Sequence, residues 1–480
     1  MATTLTTPYF LPGLEDSVAS LPTTALTFGA TEESLTLHVP TLTADVIDSL
    51  ATGLIAARQA YLAQRPIANI VAVIDQVIEL WLDPKYPYRQ QAEALLPTIT
   101  RYSPPMVQHG IDRLLKAFRK DALWRLLEAE FGDPLVLDTF RPRSAAGGMT
   151  RAYGPELITH VFSGNVPALP VWSLICALLT KSASLGKSAS EEPLFAALFA
   201  RSLAEVCPEM GACVAIGWWK GGDTALETAA FRRSEAVIAY GSNAAIRAIQ
   251  DLVPPASRFL AYGHKLSFGM IGRECLSRAE ADRMAQHAAY GVSVFDQQGC
   301  VSPHLLYVER GGDITPKAFA ALLAQAMAAV HHEMPRGPLP LEDSAAIRHL
   351  RGTYEFRQLA DDRVQLYCSE PGTAWTVVYE EDEPFTPSCL NRTVRVHPVD
   401  DLLQDVPARL KPVQAYLQTA GVALCPSRLP ALAEALGRLG VTRLSSLQQM
   451  PWPTMTWHHD GRCNLLDLVR WTDIEGDLYA

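Results

Sequence analysis

The rhythm of apolar and polar positions changes three times along the chain. After a Thr- and Pro-rich lead, Met1–Leu14, the run Ser34–Val39 alternates with a period near two, which predicts a strand. From Thr43 to Gly132 apolar residues recur every three or four positions, in Asp45–Arg58, Ile67–Leu82 and Met106–Phe131. This predicts a layer of helices, the last one opening on Ser103-Pro104-Pro105. Phe140–Gly148, small-residued and basic, reads as an exposed turn or hairpin. Beyond Arg151, short apolar runs alternate with helical ones. Strands are expected at Leu157–Ser163, Ala183–Lys187, Ala212–Trp218, Ala236–Tyr240 and Arg258–Ala261. Helices are expected between them at Pro170–Leu179, Glu191–Val206, Thr224–Arg233 and Asn243–Leu252. Strands joined by helices imply right-handed crossovers and a parallel sheet, and such sheets bind nucleotides beyond the carboxyl ends of their strands.

A second alternating block follows, so the fold class is α/β. It predicts strands Ser267–Gly272 and Leu305–Glu309, with helices Ala279–Tyr290 and Ala318–His332. After the Pro-rich connector Met334–Pro340 come strands Val364–Cys368, Trp375–Glu380, Thr393–Val396 and Gly421–Leu424. Helices start near Val413 and Ala431, and a domain boundary is expected near residues 262–266.

Composition narrows the function classes. The net charge of −10 over 480 residues, with no long basic run, argues against a general nucleic-acid binder. Nine scattered cysteines without a CxxC pair suit neither a disulfide framework nor a zinc site, and point to a reducing compartment. The most apolar stretch, Val161–Leu179, is broken by Asn165, Pro167 and Pro170, which argues against membrane insertion. Met1–Leu14 lacks the basic and apolar regions of a signal peptide. A cytoplasmic protein without a bound metal is the expectation.

Candidate chemistry gathers on loops. Cys300 lies between a predicted helix and a predicted strand, behind Asp296, Gln297, Gln298 and Gly299. A thiol there is either a nucleophile or a small buried residue. In Ser163-Gly164-Asn165-Val166-Pro167 the asparagine ends a strand and either aims its amide into a cleft or closes an Asx turn. Lys187 ends the next strand, and Ser188 and Glu191 have capping-box spacing, so lysine and helix N–H groups could receive an anion. Gly222, and Gly241 with Ser242, sit in two more strand-to-helix turns where backbone can approach a pyrophosphate. Glu383 and Phe385 close the acidic run from Glu380; a carboxylate there either binds ribose hydroxyls or is simply solvated.

The order of these residues resembles that of the aldehyde dehydrogenase superfamily from about Ala152 to Glu475. Within it the chain more closely resembles the fatty acyl-CoA reductases of bacterial bioluminescence. The shared phrases include Ser163–Pro167, Leu179-Thr-Lys181, Gly221-Gly-Asp223, Tyr262–Phe268, Phe295–Cys300 and His459-Asp460-Gly461. The resemblance implies a Rossmann-type cofactor domain plus an α/β catalytic domain and a helical N-terminal layer. The expected divisions are 1–150 (lead-in and helical layer), 151–262 (cofactor core), 263–450 (catalytic) and 451–480, a segment returning to the cofactor domain.

The resemblance further implies that the Cys300 thiolate attacks an acyl thioester, with the Asn165 amide and the Cys300 backbone N–H holding the oxyanion. Hydride from NADPH then yields an aldehyde. Lys187, Ser188, Ser190, Gly222, Gly241, Ser242, Glu383 and Phe385 are the implied cofactor residues. Two departures refine this. Hydrolytic relatives carry a water-activating glutamate where this chain has Ala261, which suits a reductase better than an acid-forming oxidase. NAD-preferring relatives often carry a glutamate where Ser190 stands; Ser190 favours NADPH, although Glu191 follows directly and a one-residue shift would favour NAD(H). The substrate is expected to be an acyl-CoA or a carrier-protein thioester, with an acyl-activating or carrier protein as a partner and a homo-oligomeric assembly. The alternatives are a CoA-acylating dehydrogenase running oxidatively and a non-catalytic scaffold. The His459–Gly461 phrase carries no assigned mechanism.

Overall fold

The computed structural model describes residues 7–29, 34–143 and 147–479; Met1–Thr6 of the lead and Ser144–Ala146 of the expected hairpin lie outside them. Two compact units are formed, one from Met1–Thr100, Ile111–Gly263 and Thr454–Ala480, the other from Arg101–Gly110 and His264–Pro453.

The first unit is built on five parallel strands, in the spatial order Val214–Gly217, Ala183–Lys187, Leu157–Val161, Ala236–Tyr240, Arg258–Tyr262. Strand order reverses at Leu157–Val161, so a crevice opens beyond the carboxyl ends of that strand and of Ala236–Tyr240. Every residue of Leu157–Val161 and Ala183–Lys187 is buried, as a parallel sheet covered on both faces requires. Helix Ala44–Ala60 supplies one cover, packing Ile47, Leu50 and Leu54 with Leu157, Leu185 and Val237. Helix Leu169–Leu179, buried from Pro170 onward, packs beside the strand Ala183–Lys187 and against helix Ile67–Leu82. Trp81 of Ile67–Leu82 is fully buried and donates its indole N–H to Ser202 Oγ at 2.8 Å. His160, in the central strand, lies between the hydroxyls of Ser173 and Ser184 (2.8 and 3.2 Å), and burial pushes its pKa down to about 3. It is therefore a neutral core residue.

The second unit holds seven strands, ordered Val364–Cys368, Thr376–Glu380, Thr393–Val399, Pro303–Glu309, Leu266–Ile271, Leu417–Ala423, Arg443–Ser445. Only the first pair is antiparallel. One core joins helices Ala281–Ser293 and Pro316–Glu333 to the sheet through Val292, Leu306, Phe319 and Leu323. A separate core joins Asp405–Leu410 and Leu429–Arg438 through Phe268, Leu305, Leu402 and Leu432. Among the described residues no helix is long and apolar enough to cross a membrane.

Three expectations need correction. Met106–Phe131 is not one helix but two, Pro104–Lys116 and Lys120–Phe131. Asp75 causes the break: its carboxylate accepts from the Lys120 N–H (2.9 Å) and the Arg119 guanidinium (2.5 Å), capping a new start. The helix expected from Glu191 begins at Phe195, because Glu192, not Ser188, takes the N–H groups of Leu194 and Phe195, both at 2.8 Å. Near Val413 the chain forms a 3-10 segment, Lys411–Tyr416, and the strand after it starts early, at Leu417. Beyond these, Leu341–Ala360, a stretch to which the apolar pattern assigns no element, is a helix of 20 residues that buries only Ile347, Arg351 and Tyr354.

Candidate active site

In the first unit the residues singled out cluster at the carboxyl ends of the sheet. The Asn165 turn leaves the central strand and lies directly on the loop after Lys187: a Cβ on Gly164 would stand 2.8 Å from Glu191 Cβ and 3.2 Å from Ala189 Cβ. Glycine at 164 is thus what lets the two loops touch. Lys187 is buried, and that burial lowers its pKa while Glu227 and Glu191 pull it back up. Its ammonium stands 5.9 Å from the Trp219 ring. Ser188 Oγ and Trp219 Nε1, both enclosed, find no hydrogen-bond partner among the described residues. Donors left without acceptors in this way fit the ribose and phosphate oxygens of a nucleotide. Ser190 is exposed and accepts from Trp218 Nε1 at 3.2 Å. The anion site expected from helix N–H groups is not formed there, since Glu192 already occupies two of them. Gly222 has φ 84° and gives its N–H to Glu227 at 3.2 Å. Gly241 donates to the Tyr262 carbonyl at 3.2 Å, while the Ser242 hydroxyl caps helix Asn243–Gln250 through Ala245 N–H.

The His459–Gly461 phrase now has a structural account. His459 and Arg462 form a bridge around Asp460 and Gly461, whose φ values of 52° and 77° make the tight hairpin turn that Asp-Gly favours. The turn lays the His459 ring on Tyr262 (4.2 Å between centroids, 19° between planes), which in turn stacks on Tyr240 (4.9 Å, 12°). Trp457 lies 4.6 Å from His459. Tyr240 and Tyr262 end the two strands on one side of the switch point, so the C-terminal segment is stacked onto the mouth of the sheet.

In the second unit, Cys300 follows the 3-10 turn Val294–Gln297 and precedes the strand Pro303–Glu309; it is half-buried. Its carbonyl accepts from Ser267 Oγ at 2.8 Å, and that hydroxyl also accepts from Thr419 N–H at 3.3 Å. The three polar residues ahead of it all reach the distant segment Asn391–Thr393. Arg392 Nε donates to Asp296 at 2.8 Å. Gln297 donates to the carbonyls of Pro303 and Thr393, each at 2.8 Å, and accepts from Thr393 N–H at 2.9 Å. Gln298 donates to Asn391 Oδ1 at 3.0 Å. Burial raises the Asp296 carboxyl pKa, against the pull of Arg392.

Sequence reasoning missed Arg392 and also Arg443, on the short edge strand. The Arg443 guanidinium donates to the carbonyls of Met450 and Gln449, both at 2.7 Å. Burial pushes its pKa down to about 10, and the charge of Cys300 pulls it up. Arg443 and Cys300 therefore lie within electrostatic reach of one another. No local signal marks either arginine as part of the site, since Asp296 and Cys300, which they face, are far away in sequence. Glu383 is paired with Arg357 at 2.6 Å, and Arg357 also reaches Glu380 at 3.3 Å. Phe385 is buried in the core beside Leu402 and Leu410.

Comparisons with known proteins bear on the family and the fold. A family model described as "Acyl-CoA reductase (LuxC)" matches residues 62–471. The chain is 24% identical over 351 residues to the "Long-chain acyl-protein thioester reductase" of Vibrio harveyi, covering 72% of this chain and 70% of that one. It is 27% identical over 350 residues to the protein of the same name from Aliivibrio fischeri, covering 71% and 68%. Among solved structures it is similar to an oxidoreductase from Marinobacter aquaeolei (TM-score 0.75, 15% identity, 98% of each chain). It is also similar to the aldehyde dehydrogenase KauB from Pseudomonas aeruginosa (TM-score 0.74, 13% identity, 94% of this chain and 93% of that one). At these identities the solved structures establish the fold alone, and that fold is the aldehyde dehydrogenase one.

Proposed function

Because the chain belongs to the acyl-CoA reductase (LuxC) family, we propose that it reduces an acyl thioester to an aldehyde with NADPH, through an acyl-enzyme on Cys300. The observation that carries the reading is the setting of Cys300: a half-buried thiol on a turn fixed by Ser267, Gln297 and Gln298, with Arg443 within electrostatic reach. The Cys300 sulfur attacks the thioester carbonyl as thiolate. The oxyanion takes hydrogen bonds from the Asn165 amide and the Cys300 backbone N–H. It then collapses, expelling the carrier thiolate, which leaves as thiol once protonated. Lys187, Ser188 and Trp219 hold the nucleotide through its ribose and phosphate oxygens, and Glu383 is assigned to the second ribose. When bound, the reduced nicotinamide supplies the hydride that turns the acyl-enzyme into a thiohemiacetal. Breaking its C–S bond releases the aldehyde and restores Cys300. Ala261 offers no carboxylate to activate water, which keeps hydrolysis of the acyl-enzyme slow. The two relatives are named for long-chain acyl-protein substrates. Long-chain acyl thioesters, delivered by an acyl-activating or carrier protein, are therefore the favoured class.

The test mixes the protein with NADPH and acyl thioesters of graded length, on CoA and on carrier protein, following NADPH loss and aldehyde together. Aldehyde from the wild type and none from Cys300→Ala, with NADPH affinity retained, is the expected result. Equal turnover by both proteins would remove Cys300 from the chemistry, and no aldehyde from any thioester would end the reading.

A further inference from the structure

Two stretches in the second unit share an unusual backbone. Phe295, Asp296 and Gln297 have φ values of 50°, 50° and 68°, and Leu390, Asn391 and Arg392 have 60°, 54° and 64°. All six are non-glycine residues in the left-handed region, a conformation that L side chains rarely adopt and that only the surrounding structure can hold. The two stretches hold one another in place through the Asp296, Gln297 and Gln298 bonds. Gly337 N–H adds a longer contact to Asp296 Oδ2, at 3.4 Å.

Arg392 is the centre of this clamp and a poor source of stability. Its side chain is 0% exposed, it has Asp296 as its ion-pair partner, and Nη1 and Nη2 meet no acceptor among the described residues. A buried ion pair with donors unanswered is matched or bettered in stability by apolar side chains of similar volume. What the pair does provide is geometry. Asp296 is the middle residue of the arc that leads, four positions on, to the thiol.

We propose that Arg392 is a positioning residue for Cys300: by holding Asp296 it keeps the left-handed arc that sets the thiol in line with the acyl carbon. The proposal rests on Cys300 being the acyl-accepting nucleophile. It separates two properties of the thiol. A small alkylating reagent approaches from many directions and needs only an accessible thiolate, whereas acyl transfer needs a near-attack geometry.

The decisive variant is the double change Asp296→Asn with Arg392→Met, which removes both charges of the pair, so that neither residue is left as a buried ion without the other. Three quantities are compared with wild type beside the melting temperature: acyl-enzyme formation from a long-chain acyl-CoA, Cys300 alkylation by iodoacetamide, and NADPH affinity. The expected result is acyl-enzyme formation slowed about 100-fold, as for a reacting group misplaced by about 1 Å. Alkylation and NADPH affinity stay within about threefold. Acylation at the wild-type rate would overturn the proposal, as would all three falling in step with the melting temperature. Should the double variant not fold, Arg392→Lys decides in the same assays. At least roughly tenfold slower acylation with an unchanged melting temperature supports the proposal, and an unchanged rate overturns it. A wild type that forms no acyl-enzyme from any thioester would instead overturn the assignment of the nucleophile itself.

Discussion

Gly164→Ala tests the site where two loops of the first unit meet. A Cβ at this position would lie 2.8 Å from Glu191 Cβ, 3.1 Å from the Glu192 nitrogen and 3.2 Å from Ala189 Cβ. Carbon atoms rest at about 3.5–4.0 Å, so the closest pair must part by roughly 1 Å. None of the three neighbours is the free end of a flexible side chain. The Glu192 segment is also anchored, since its carboxylate holds Leu194 and Phe195 N–H at 2.8 Å each. The turn carrying Asn165 is therefore the part that yields. Moving an oxyanion donor by about 1 Å costs on the order of 100-fold in rate, or about 2.7 kcal/mol of barrier. The stability cost of the overpacking itself is about 1–3 kcal/mol, which leaves the protein folded. Rapid-quench measurement of acyl-enzyme formation should show that loss while NADPH affinity stays within about threefold. A loss confined to NADPH affinity would mean that the Lys187–Glu192 loop moved instead. If a folded variant keeps both quantities within about twofold, the contact does not position Asn165 and the reasoning fails.

Three further outcomes are expected. Arg443→Met should shift the pH midpoint for Cys300 alkylation upward, and an unmoved midpoint would show that the cation does not serve the thiolate. Ser190→Glu should raise the KM for NADPH at least about tenfold while sparing NADH, because a carboxylate repels the 2′-phosphate; an unchanged ratio would take Ser190 out of the cofactor site. Glu380 accepts from Tyr354 Oη (2.5 Å), His397 Nε2 (3.0 Å) and the Arg395 guanidinium. Its pKa is held down to about 2, from 4.5, by these partners against the opposing effect of burial. A depressed carboxylate stabilises above its unfolded pKa, so about 3 kcal/mol is present at neutral pH and lost as pH falls from about 4.5 towards 2. Urea unfolding of Glu380→Gln should accordingly be weaker at pH 7 and flatter with acid; a pH dependence identical to wild type would refute the assignment.

Much of this was legible in the sequence, for identifiable reasons. The strands Ala183–Lys187, Ala236–Tyr240 and Val364–Cys368 begin and end where the apolar pattern puts them, because turn residues bound each run. The failures come from side chains that act at a distance. Asp75, on a different helix, splits Met106–Phe131 where no Gly or Pro stands. Glu192 takes the cap that the Ser188 and Glu191 spacing seemed to claim, and Pro193 helps to defer the helix to Phe195. The helix Leu341–Ala360 hides because Phe356 and Leu359, 79% and 83% exposed, blur the apolar stripe that would have revealed it.

The neighbourhood of Cys300 shows the same division between what is local and what is not. The phrase Asp296-Gln297-Gln298 reads as three polar residues before a cysteine, and its specificity has a physical source. Gln297 donates twice to carbonyls and accepts once from an N–H, so only a side-chain amide answers all three partners. A glutamate would face two carbonyl oxygens with no proton to give, and an asparagine is one methylene shorter. Gln298 in turn finds an amide oxygen in Asn391, and Asp296 a guanidinium in Arg392. The phrase therefore records a fit to Asn391–Thr393, nearly a hundred positions away, and not the chemistry of the thiol. That is why the phrase can be recognised from sequence while its meaning cannot: each of its residues is chosen by a partner that only the folded sheet brings alongside.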